Sequence, residues 1–245
     1  MITDIITVAL KEIKELPYLR KDKSRTNLFS LLIFLGVFGI LLPWQTGRDW
    51  VTSPFSLLSW AWLPFMMVGT TMVDAFAGER ERHTLETLLA SRLSDRAILF
   101  GKILAGIVYG VVITFLCVLV GLGTVNLVYG QAGLLVYPTP IALGIVGELL
   151  LISTLASGLG VLVSLRAASV RQAQQTFTIA YFVFFIPILV FPMLPQAVTI
   201  KITQFVMRTS FATFAAWFGL GVTVVDVLLI LAAMARFKRS RLILD

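Results

Sequence analysis

Residues 78–96 read GERERHTLETLLASRLSDR, a dense run of mixed charge set between two long apolar stretches. Of the 245 residues, 58% are hydrophobic and 13% charged, and the mean hydropathy is +0.93, so a soluble protein is excluded. Crossing about 30 Å of hydrocarbon takes about 20 mostly apolar residues. Six segments approach or exceed that length: 28–44, 57–76, 98–128, 141–165, 177–194 and 211–235. Helices fit such lengths, because backbone polar groups in lipid must be satisfied within the segment. The expected fold is an all-α integral membrane protein with six transmembrane helices, an N-terminal amphipathic interfacial helix and a cytoplasmic coupling helix between spans 2 and 3. One transmembrane domain covers residues 1–245: helix and basic linker over 1–25, bundle over 26–236, cytoplasmic tail over 237–245. The first span is the shortest, and the overlong third should project from the bilayer or tilt.

Orientation follows from the basic residues. Seventeen of the 20 Lys and Arg lie before the first span, between Arg80 and Lys102, at Arg166 and Arg171, or after Ala235; the alternate set is Arg48, Lys201 and Arg208. Both termini and the charged run should therefore face the cytoplasm. The net charge of +7 reads as topology rather than nucleic-acid binding, since the basic residues cluster at span ends. No cleaved signal peptide is expected, because the first long apolar run begins at Leu28 without a small-residue cleavage pattern after it. Trp44, Trp50, Trp60 and Trp62 fall near the expected outer interface, where aromatic rings anchor.

Ahead of the first span, Ile2, Ile5, Ile6, Ala9, Leu10 and Ile13 form one stripe, with Asp4, Lys11, Glu12, Lys14 and Glu15 largely elsewhere. That pattern predicts an interfacial helix, ended by Pro17. Within the charged run, Leu85, Leu88, Leu89 and Leu93 follow helical spacing, with Glu86, Thr87 and Arg92 on other faces. Ser94 and Asp95 cap the next helix. A short amphipathic helix on the cytoplasmic surface results, because each Arg or Asp buried in the bilayer would cost about 2.5–3.5 kcal/mol. Spacing alone admits two readings of it: an ordinary interfacial loop helix, or a docking element for a soluble partner.

The wording GERERHTLETLLASRLSDRAILFGK resembles the cytoplasmic segment of permease subunits of ABC-2 type ABC transporters. There a Gly-Glu-(Lys/Arg)-Glu-Arg-Gly-Thr-Leu-Glu-(Thr/Ser)-Leu-Leu run precedes the third span. LRAASVRQAQQ, after the fourth span, is similar to that family's second cytoplasmic connection. One departure is His83, where the family has Gly, so a different backbone conformation is expected at that turn. The resemblance implies that Glu79, Arg80, Glu81, Arg82, Thr84, Leu85, Glu86, Leu88, Leu89 and Arg92 couple the chain to a separate ATP-binding subunit. It also implies export, two permease chains working with two ATP-binding chains, and ATP and Mg on the partner, with no cofactor on this chain. A homodimer in the plasma membrane is expected, with membrane lipids as its surroundings.

Catalytic signatures are missing. No G-x-x-x-x-G-K-[ST] run occurs, and Gly101-Lys102 is followed by Ile103 at the start of a span. One His excludes H-E-x-x-H, G-x-S-x-G is absent, and the single Cys117 makes neither a disulfide nor a cysteine-rich metal site within one chain. The chain is not expected to be an enzyme. His83 reads as a surface or contact residue, since no second His or nearby Cys could complete a metal site.

Glu148 and Asp226 fall inside the fourth and sixth spans. They could form part of a translocation path or ion relay. The other reading is polar contacts within the bundle, for example with spans or loops bearing Asn126, Gln131 or Thr223. The first of these readings would make the chain an ion-coupled secondary transporter or channel. Asp74 sits near the cytoplasmic end of span 2, where water can solvate it. Small residues recur at four-residue spacing at Gly106 and Gly110, Ser153 and Ser157, and Ala156 and Gly160; they permit close helix approach within one subunit or between two. Residues 195–210 read as an external surface loop or a short helix in the outer interface.

Overall fold

The computed structural model describes residues 1–15, 29, 31–54, 56–84, 90–190, 193–208 and 211–237. Among these every regular element is helical. They are α1 (Ile2–Glu15), α2 (Leu31–Thr46), α3 (Asp49–Thr52), α4 (Ser56–Val73), α5 (Asp95–Tyr129), α6 (Thr139–Ser164), α7 (Val170–Val190), α8 (Gln196–Arg208) and α9 (Phe211–Arg236). Three stretches, Asp95–Tyr129, Thr139–Ser164 and Thr213–Arg236, are long and apolar enough to cross a membrane. They fall on the expected third, fourth and sixth spans. Helices α2, α4 and α7 occupy the positions of the other three, α2 being a shorter apolar helix. α5 runs 35 residues, about 52 Å at the helical rise, which accounts for its overlong apolar stretch. Within the expected external stretch, Gln196–Arg208 form the helix α8.

α4 is the axle. It packs against α5, α6 and α7, and its residues Phe65, Val68 and Met72 are at most 1% exposed, as is Phe76 just beyond it. Small residues on the neighbours let these side chains in. A Cβ on Gly106 would lie 2.5 Å from the Met72 methyl, one on Gly110 would lie 2.2 Å from Val68, and one on Gly160 would lie 2.7 Å from Met72. The four-residue spacing of Gly106 and Gly110 thus serves packing within the chain. Gly69 of α4 is itself covered by the Phe177 ring of α7, which also stacks on Phe65 at 5.4 Å between centroids.

α2 contains a π-helical stretch, Leu35–Leu41, whose Gly39 meets Val120 of α5. The Thr124 hydroxyl donates to the Gly39 carbonyl at 2.7 Å, satisfying an acceptor inside an apolar contact. At the same end of the bundle, Asn126 donates to and accepts from the backbone of Leu135, at 2.8 and 2.7 Å, closing the connection from α5 to α6.

α1 lies on α5. The buried residues are Val8 and Ala9, with Val8 against Gly101, whereas Ile2, Ile6 and Leu10 of the expected stripe are exposed. The stripe therefore splits: one edge docks on the protein, and Ile2, Ile6 and Leu10, at four-residue spacing, remain for the interface.

Gly69→Ala should lower the stability of the purified chain by about 1–3 kcal/mol through forced displacement of Phe177. Gly123→Ala, where a Cβ meets nothing within 4 Å, should hold or raise it. Thermal unfolding in detergent compares the two.

Candidate functional site at the charged turn

The helix of α4 does not stop at Val73. It continues through a π-helical turn, Asp74–Gly78, into a last α turn, Glu79–Glu81. The first part of the charged run is thus the end of α4, and not part of a separate amphipathic helix. Residues 85–89 of that expected helix, with Leu85, Glu86, Leu88 and Leu89, lie outside the described residues, and its last part, with Arg92 and Leu93, is corrected to a turn and bend leading to the Ser94 cap. A side chain at Gly78 would collide with Asp74 and Arg82, whose Oδ1 and Nη2 lie 2.7 and 2.8 Å from its Cβ position.

Glu79 turns inward. Its Oε1 accepts from Lys102 Nζ of α5 at 2.8 Å, and Lys102 also donates to Glu12 Oε1 of α1 at 2.9 Å and to the Ala75 carbonyl at 3.1 Å. The Lys102 side chain has 0% exposure, and its ammonium stands 5.3 Å from the Phe76 ring centroid. An ammonium has three hydrogens, and each has an acceptor here. A buried cation is tolerated on those terms. Glu79 Oε2 is buried without a partner. Burial raises the Glu79 pKa above the usual carboxylate range, and the Lys102 charge opposes that shift.

Arg80 reaches the other way. Its Nη1 donates to the Ala167 carbonyl at 3.1 Å and its Nη2 to the Leu165 carbonyl at 3.2 Å, supplying donors and positive charge at the C-terminal end of α6. Glu81 Oε2 accepts from the Val170 backbone N–H at 3.0 Å, at the first residue of α7. One helical turn therefore binds α5, α6 and α7, and through Lys102 it is linked to α1.

The turn ends in a Schellman motif: the His83 N–H donates to the Arg80 carbonyl at 3.0 Å and the Thr84 N–H to the Glu79 carbonyl at 2.9 Å. His83 takes φ +55° to do so. The expected change of backbone conformation is thereby corrected. The left-handed conformation that glycine adopts freely is kept, at a steric cost to His of about 1–2 kcal/mol. Arg82, His83, Thr84 and Arg92 are exposed. Ser94 caps α5 as expected, its hydroxyl accepting from the Ala97 N–H at 3.2 Å.

Asp226 is 5% exposed and its Oδ1 lacks a partner; Glu148 Oε2 is likewise buried without one. The suggested neighbours are engaged elsewhere: Asn126 with Leu122 and Leu135, Thr223 with the Gly219 carbonyl. α6 and α9 pack with Gly158 against Leu229 and Gly219 near Leu151, so they run in parallel. That register puts the two carboxyls roughly 10–15 Å apart along the bundle. They form no common site.

A sequence model of the family described as ABC-2 family transporter protein matches residues 59–240, from α4 through α9 and the whole charged turn. The chain belongs to the ABC-2 transporter family. Among curated proteins none matches it. The ABC-2 chain is accordingly a membrane-embedded permease of an ABC transporter, and membership implies association with an ATP-binding subunit.

Lys102 and Glu12 carry part of this site without having been singled out from the sequence. Both fall on buried faces, Lys102 three and four residues after Leu99 and Ile98, Glu12 three and four after Ala9 and Val8. A charge in register with a buried apolar stripe is the signal that could have marked them.

Lys102→Met should destabilise the ABC-2 chain by about 3–5 kcal/mol, since the buried Glu79 carboxylate loses its cation, while Glu12 keeps Lys11 at 3.7 Å. Adding Glu79→Gln should recover part of the loss. His83→Gly should gain about 1 kcal/mol, and His83→Val should lose stability. Thermal unfolding of the purified chain reads all four.

Proposed function

We propose that the chain is one permease of an ATP-driven exporter in the plasma membrane. Six spans place both termini in the cytoplasm, and the charged turn receives the stroke of a separate ATP-binding subunit. Two permease chains, in a homodimer, pair with two ATP-binding chains that hold the ATP and Mg. This chain hydrolyses nothing. Closure of the ATP-binding subunits displaces the run from Glu79 to Leu93, and the displacement changes access between the two bundles.

The observation that supports this reading most is the set of bonds made by Glu79, Arg80 and Glu81. A push on the exposed side of the turn, at Arg82 and Thr84, cannot move that side alone. The ion pair to Lys102, the fork of Arg80 on α6 and the Glu81 contact with α7 carry it into the helices. Glu86, Leu85, Leu88 and Leu89 complete the docking surface in this proposal, on the strength of the family pattern.

A second reading, an ion-coupled transporter, draws on the unpartnered carboxyl oxygens of Glu148 and Asp226. Their separation along the bundle argues against a direct relay between them. Under that reading the chain reconstituted alone would move ions without any ATP-binding partner.

The test is reconstitution with the ATP-binding subunit. Arg82→Glu combined with Arg92→Glu should weaken capture of that subunit by about tenfold or more, as expected for charge reversal at a polar contact. Arg80→Ala should leave capture in place and lower substrate moved per ATP hydrolysed. Unchanged capture in the first variant together with unchanged stoichiometry in the second would overturn the coupling role.

A further inference from the structure

At the charged end a cavity of about 280 Å³ opens between α6, α7 and α9. Its chemistry is graded along the helices. Arg166, just past the end of α6, and Arg236, the last residue of α9, line it at the level of the helix ends, and both are exposed. Leu159, Leu162, Val163 and Ala232 line the remainder, with Leu159 and Ala232 about 10 and 6 Å deeper along their helices. Gln172 and Thr176 of α7 supply the polar wall, and among the described residues no acidic one lines the space. Among the described residues neither guanidinium has a hydrogen-bond or carboxylate partner. The neighbouring Arg80 does not share that freedom, being held on the Leu165 and Ala167 carbonyls.

We propose that this cavity binds an anionic phospholipid from the leaflet at the charged end, with its phosphate between Arg166 and Arg236 and the start of an acyl chain on the apolar floor. Two features favour such an occupant. The cationic groups stand where apolar helices reach the headgroup level, the position at which basic pockets between membrane helices take up anionic headgroups. The floor is apolar and continuous with the membrane-embedded part of α6 and α9, which suits a hydrocarbon tail and not a free anion. Arginine serves here better than lysine, because its planar fork matches two phosphate oxygens at once. A bound lipid would tie the end of α9 to the start of α7, two elements that otherwise meet little.

The experiment is native mass spectrometry of the full chain after extraction from bilayers of equal phosphatidylglycerol and phosphatidylcholine. The wild type should retain phosphatidylglycerol over phosphatidylcholine by about thirtyfold, the preference expected from two arginines at a headgroup. Arg166→Gln with Arg236→Gln should abolish the preference; both residues are exposed, so folding is not at stake. Ala232→Trp, which fills the floor and keeps both charges, should lower retention of either lipid. Equal retention of the two lipids by the wild type, or undiminished preference in the double glutamine variant, would overturn the proposal. Displacement of the lipid by excess inorganic phosphate, or by the ATP-binding subunit, would overturn it in favour of a free anion or a protein contact. No ATP turnover enters the measurement, so its outcome is separate from that of the coupling proposal.

Discussion

The Lys102 ammonium has no exposure, and it must find three acceptors within the protein or give up its charge. Two of the three come from α4, the Glu79 carboxylate and the Ala75 carbonyl, and the third from α1, the Glu12 carboxylate. None is optional, because loss of any one leaves an N–H unsatisfied where water does not reach. The demand fixes where α1 lies along α5, and it fixes how far α4 extends before it turns. It also gives the π turn at Asp74–Gly78 a role. The turn lies in the same segment that presents the Ala75 carbonyl to Lys102 and, three residues on, carries the chain into the turn that holds Glu79.

Away from that end, apolar contacts at close range take over. Gly69, Gly106, Gly110 and Gly160 bring α4 against α5, α6 and α7 at separations that a larger residue would forbid. α9 is different. It packs chiefly on α6, and only 17% of its most apolar window is buried. Displacement of α4 therefore reaches α5, α6 and α7 directly, and α9 chiefly by way of α6, with one edge contact of Phe76 on Phe237 at 5.5 Å just past the end of α9. This hierarchy, three helices locked to α4 and a fourth lightly attached, is the mechanical content of the fold.

Much of this was legible in the sequence, and the parts that were not share a cause. The apolar segments located the helices, Ser94 announced the start of α5, and the small residues of α5 and α6 marked close approach. Lys102 was read with the basic residues that set orientation, because a lysine at a span boundary is indistinguishable by composition from a solvated one. Arg80 was read as facing a partner, because its acceptors are main-chain carbonyls of Leu165 and Ala167 and leave no side-chain signature. His83 concealed its left-handed conformation behind a residue type that seldom adopts it. Glu79 and Glu81 look alike in the sequence and face opposite tasks, one buried on a cation, the other at a helix N-terminus.

That divergence follows from helical geometry. Successive residues point about 100° apart around a helix, so Glu79, Arg80 and Glu81 fan over about 200°. In a turn that leaves the apolar bundle with neighbours on several sides, three consecutive residues reach three neighbours, which residues at four-residue spacing could not do. Alternation of charge then follows from what each neighbour offers: a buried ammonium calls for a carboxylate, the carbonyls closing α6 for a cation, and the amide opening α7 for an anion. The contacts are directional and short, so they resist sliding and either hold or break. Apolar side chains in the same three places would have supplied burial without that definition. Mixed charge in the middle of a membrane protein is in this way a consequence of making one turn answer to three helices at once.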